Sequence, residues 1–172
     1  MIIYEFIDLK KIRRAVLYIA CMVVMLTLQE AVLSRISPLG VRAMPMPALV
    51  TAVGLFEGGL WGGVFGVFAG LFCDMAGSST TVLLTITFAV LGFLAGLVCQ
   101  MLINRRFYSY MIAALAAQLL AALCQGLPVW IYHGASVLAL LRTAALQSLW
   151  SLPFAVPSYF ACRAIAGSRL KE

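Results

Sequence analysis

The sequence predicts an all-α fold: a polytopic helical bundle embedded in a membrane. Three observations carry this. The 172 residues are 64% hydrophobic and only 10% charged, where soluble domains carry about 25% charged residues. Their mean hydropathy is +1.06, and a soluble fold of this size has too little interior to hide so much apolar surface. The apolar residues also come in long runs, several of them near the ~20 residues that cross ~30 Å of hydrocarbon.

Residues 15–34 form the first predicted segment. Lys10, Lys11, Arg13 and Arg14 precede it in the manner of a signal peptide. Gln29 and Glu30 follow without a small-residue cleavage site, so the segment reads as a retained helix. Pro38, Gly40, Pro45 and Pro47 then interrupt the chain. Residues 82–103 form a later segment that stops at Asn104-Arg105-Arg106. Residues 108–131 and 143–165 form two more, separated by a polar loop expected around His133-Gly134-Ala135-Ser136 and Arg142.

Residues 47–76 are long for one span and short for two. Glu57-Gly58-Gly59 reads as a tight turn, which divides the stretch into segments 45–57 and 60–76. These two either cross a thinned bilayer or fold back as a re-entrant hairpin. Basic residues decide the parity. With six segments and both termini cytoplasmic, Lys10, Lys11, Arg13, Arg14, Arg105, Arg106, Arg163, Arg169 and Lys171 lie inside, and Arg35, Arg42 and Arg142 outside. A single crossing at 47–76 would move Arg105-Arg106 outside, against the positive-inside rule. The whole chain, 1–172, reads as one transmembrane domain.

Six glycines fall between Glu57 and Asp74. On a helix turning 100° per residue, Gly59, Gly63, Gly66 and Gly70 share one stripe that Asp74 continues. Gly62 flanks it and Gly58 lies off it. Gly92 and Gly96 repeat the spacing in the next segment, and residues 113–122 are rich in alanine. Helices in lipid associate through close van der Waals fit, which small residues permit. The expectation is a tight bundle centred on the third segment, with Gly59, Gly62, Gly63, Gly66, Gly70, Asp74, Gly92 and Gly96 forming a helix-packing or partner interface.

The polar residues are few. Asp74 reads as an interfacial acid or as a partner for Arg42 or Arg142. Glu30 is placed to pair with Arg35, and Glu57 reads as solvated at the inner turn. Gln118, Gln125, Gln147 and Ser148 read as interhelical hydrogen-bonding groups or as the lining of a polar pocket. Pro153 and Pro157 predict a bend. The five cysteines are scattered without a CxxC pair and read as small buried hydrophobes. His133 has no metal-ligand spacing around it, and no HExxH, P-loop or GxSxG occurs. These readings give no catalytic, cofactor or metal site, and the placement of the +6 charge at membrane borders argues against a nucleic-acid partner.

Residues 45–100 resemble the MreD family of bacterial rod shape-determining membrane proteins. The resemblance rests on Pro47, the run Gly62-Gly63-Val64-Phe65-Gly66-Val67-Phe68-Ala69-Gly70-Leu71-Phe72-Cys73-Asp74, the turn Gly77-Ser78-Ser79, and Gly92 to Gly96. Many members carry Asp or Asn after the helix-starting proline, where this chain has Ala48. The resemblance implies a non-enzymatic, multi-pass subunit of the cell-elongation (peptidoglycan-synthesis) machinery in the bacterial inner membrane. It implies as partners a MreC-like single-span scaffold, a RodA-type glycosyltransferase with its transpeptidase, and a MreB-like filament. The rival expectation is a substrate-binding subunit of an energy-coupling-factor vitamin importer, with Gln118 and Gln125 lining the pocket. The A-x3-A docking face expected of such subunits is missing from the first segment, where Ile19 follows Ala15 and Val24 follows Ala20.

Overall fold

The computed structural model describes residues 9–33, 41–76, 82–101, 107–134 and 136–167, and they are helical almost throughout. Six α-helices follow one another: α1 Leu9–Leu28, α2 Met46–Glu57, α3 Gly59–Ala76, α4 Leu83–Met101, α5 Phe107–His133 and α6 Val137–Ala166. A π-helical turn, Gln29–Leu33, continues α1. Among the described residues, four stretches are long and apolar enough to cross a membrane: Ile12–Ala31, Gly59–Ala76, Phe107–Pro128 and Val137–Ala166. Met46–Glu57 and Leu83–Val98 are shorter apolar helices. The turn expected at Gly77-Ser78-Ser79, the Glu30–Arg35 pair and the basic residues Arg105, Arg106, Arg169 and Lys171 lie outside the described residues.

The expected division of residues 45–76 is present, and one residue makes it. Gly58 has φ 98° and ψ 170°, a backbone region that is essentially open to glycine alone. The chain leaves α2 at Glu57 and starts α3 at Gly59.

The centre of the bundle is α2, which corrects the expectation that the third segment occupies it. Every residue of α2 from Met46 to Phe56 is buried, and α2 packs on all five other helices. Its sequence, MPALVTAVGLFE, has no polar face to turn outward, and a helix apolar all round fits only where protein surrounds it. Its 12 residues cover about 18 Å. Before it, Val41, Ala43, Met44 and Pro45 are also buried but not helical. Irregular backbone survives inside a membrane protein only where protein or water satisfies it. Here Met44 N donates to Ser151 Oγ at 2.8 Å and Ala48 N to Pro45 O at 3.1 Å. Pro47 in the first turn brings no N–H that needs a partner.

Around α2, helices α5 and α6 pair along their lengths, and α3 pairs still more closely with α4. The alanines of α5 help fill the interior: Ala114, Ala117, Ala121 and Ala122 are buried. An aromatic cluster closes the bundle at the start of α5, where Tyr159 meets Phe56, Phe107 and Tyr110 at ring distances of 5.1–5.4 Å. Tyr110 is fully buried, and its hydroxyl reaches Ala48 O and Ala155 O, both at 3.0 Å. That one side chain ties α2, α5 and α6 together.

The loop between α5 and α6 is shorter than expected. Ser136 caps α6, accepting from Ala139 N at 3.3 Å, so the helix begins six residues before the anticipated 143. Arg142 therefore sits within α6, and His133 ends α5. Helix α6 continues through both Pro153 and Pro157.

Candidate helix-packing and partner interface

The glycine-rich stretch forms α3 and lies antiparallel to α4 in a fixed register. A Cβ added at Gly70 would fall 2.7 Å from Leu84 O. At Gly66 it would fall 2.6 Å from Phe88 C, and at Gly62 2.5 Å from Gly92 O. Real Cβ contacts of that length do not occur, so the two backbones touch where any other residue would hold them apart. Gly96 closes the end of the contact nearest the α2–α3 break, where its Cβ would meet the backbone of Gly58 and Gly59.

Three helices converge at Gly62. A Cβ there would also lie 2.5 Å from Gly54 Cα on α2, and one on Gly54 would strike Gly92 O. Gly54, Gly62 and Gly92 thus form one junction of α2, α3 and α4. Two positions depart from the sequence expectation. Gly62, expected at the flank, is buried in the contact, whereas Gly63, expected in the stripe, is half-buried with Phe93 Cβ at an ordinary 3.5 Å from its would-be Cβ. The cause is that α3 rests on two neighbours, so its contact arc is displaced toward α2. Gly54 was not among the expected residues, and the all-round apolarity of segment 45–57 was the signal that could have found it.

Asp74 is buried at the opposite end of this contact. Its Oδ2 accepts from Thr85 N at 2.9 Å and from Thr85 Oγ1 at 2.7 Å. It therefore works as a cap supplied from the end of α3: it satisfies a first-turn N–H of α4 and places negative charge at that helix's positive end. Asp74, the glycines and α4 form one mechanical unit.

The opposite face of α3 is broad and apolar. Leu60, Trp61, Val64, Val67, Phe68, Leu71, Phe72 and Met75 are exposed, while Phe65 turns back to meet the Tyr18 ring edge-on at 6.4 Å. Helix α1 is attached lightly. Most of its surface is exposed, and Tyr18 and Met22 are its buried hydrophobes. Tyr18 OH donates to Glu57 Oε1 at 3.0 Å, so Glu57 at the α2–α3 turn is engaged by protein and not simply solvated as expected. Between α2, α4 and α5 lies an apolar crevice of about 220 Å³, walled by Thr51, Leu55, Leu91, Ala95, Ala113 and Ala117.

The expected polar group on α5 and α6 divides. Gln147 Nε2 donates to Gln125 Oε1 at 3.1 Å, and Gln125 Nε2 contacts Met44 Sδ at 3.0 Å. Ser148 is buried and bonds its own helix at Ala145 O. Gln118 is 3% exposed, and neither amide atom has a hydrogen-bond partner. Among the cysteines, Cys73 and Cys162 are buried, Cys21 and Cys124 are half-buried, and all four are free.

No known family model matches this chain, and searches of curated proteins and solved structures likewise find no match.

Proposed function

We propose that this protein is a non-catalytic, multi-pass subunit of the bacterial inner membrane that supports cell elongation by binding other membrane proteins through its helices. The observation that carries this reading is the division of α3 into two faces. Its small face is locked onto α4 and α2 by backbone contact, which makes it a rigid rib. Its large face, with Trp61, Phe68 and Phe72, is exposed. A stiff apolar ridge in a bilayer presents preformed van der Waals contact to another helix, and such contact drives helix association in lipid. Within the described residues, the motif on which the MreD resemblance rests lies in this rib and in the helices that brace it.

In this proposal the partner is a MreC-like single-span protein. The glycosyltransferase and transpeptidase are neighbours in the membrane, and the MreB-like filament lies at the cytoplasmic side. Both termini are cytoplasmic, and α2 and α3 make the there-and-back excursion that the charge distribution requires, either as two short crossings or as a re-entrant hairpin.

The test is disulfide or photo-crosslinking in native membranes from Val67 and Leu71, two exposed positions of α3. A crosslink to a single-span protein of the elongation machinery is the expected result. No crosslink from any position on α3, or purification with a vitamin bound one-to-one, overturns the proposal, the second result favouring the importer.

A further inference from the structure

The head of α2 lies inside the bundle. Val41, Ala43, Met44, Pro45 and Met46 are all buried, and no side chain caps the helix. Polar groups gather there: Ser151 Oγ takes the Met44 N–H, and Gln125 and Gln147 join in a chain that ends on Met44 Sδ. Gln118 shares the face of α5 that carries Gln125, seven residues before it, and follows Tyr110 by eight residues, about 80° round the helix. Seven residues rotate a helix by about 700°, which brings Gln118 within about 20° of Gln125. Gln125 is anchored on Met44 and Tyr110 on Ala48, so the register sets Gln118 alongside the stretch between them.

A primary amide brings two donors and one acceptor. Burying it without hydrogen bonds costs several kcal/mol in hydrocarbon-like surroundings. Its occupant must both give and take hydrogen bonds and must carry no charge, because Gln118, Gln125, Gln147, Ser151 and Met44 include no cation to hold an anion and no carboxylate to hold a cation. Water fits these requirements, and buried waters characteristically serve polar groups that protein leaves unmatched.

We propose that the head of α2 is a hydration site in the membrane interior, where ordered water bridges the Gln118 amide to the Gln125–Gln147–Ser151 cluster. This inference is independent of any elongation partner.

X-ray radiolytic footprinting of the full chain in detergent tests it, because hydroxyl radicals formed from bound water oxidise adjacent side chains that bulk solvent does not reach. Met44, with its sulfur in the cluster, and fully buried Met46 form an internal pair. The expected result is oxidation of Met44 well above Met46, falling to the Met46 level in Gln118→Leu. Met44 that stays as unreactive as Met46 in the wild-type protein overturns the proposal, as does Met44 oxidation unchanged in folded Gln118→Leu. Should Gln118→Leu fail to fold, Gln118→Met, which keeps the side-chain length without the amide, takes its place.

Discussion

Gly66 and Gly63 stand three residues apart in one glycine-rich run, yet the structure assigns them opposite tolerance. An added methyl group at Gly66 falls on Phe88 and Ala89 backbone atoms, which cannot swing aside. At Gly63 it makes ordinary contact. Gly66→Ala is therefore expected to lower stability by about 1–3 kcal/mol, the range for overpacking, and Gly66→Leu by more. Gly63→Ala is expected to stay within about 0.5 kcal/mol. Thermal unfolding in one detergent compares the two directly, and equal shifts would show that the α3–α4 register is wrong. That glycines would serve packing was legible from their spacing. Which of them touch backbone was not, because a single stripe serves one neighbour and α3 has two.

Each element shows how much its own segment could reveal. The boundaries of α3 and α5 follow from apolar runs and breakers, since those signals are local. The early start of α6 depends on Ser136, a capping residue whose effect is also local but which the hydropathy of the loop obscured. Helix α1 is the least committed element, with its polar tie to the core running from Tyr18 to Glu57. Tyr18→Phe removes a hydrogen bond to a carboxylate, worth about 1.5–3 kcal/mol. Its expected effect is faster hydrogen exchange in α1 with α2, α3 and α4 unchanged. A uniform rise across all helices would show instead that α1 unfolds only with the whole bundle. Glu57 could be read from sequence only as a turn residue, because its partner lies 39 positions away.

At the scale of the molecule, the short central helix organises everything else: α3 and α4 clamp one side of α2, and α5 and α6 the other. The proposed orientation is tested by introducing a cysteine at Leu138, exposed at the start of α6, in a background without the native cysteines. Labelling by an impermeant maleimide from the outer side of intact spheroplasts is the expected result, and labelling only after lysis would reverse the topology. Composition and the lengths of the apolar runs determined by themselves that the chain is an all-helical bundle suited to a bilayer, and Gly58 marked the break between α2 and α3. Those are consequences of transfer free energy and backbone sterics, which act residue by residue. Only the tertiary structure decided that α2 forms the core, that Gly54 joins Gly62 and Gly92, that Asp74 caps α4, and that Gln118 is buried with no hydrogen-bond partner for its amide. In a chain so uniformly apolar, hydropathy barely distinguishes one neighbour from another. The pairing of helices is set by shape, in contacts between residues far apart in sequence.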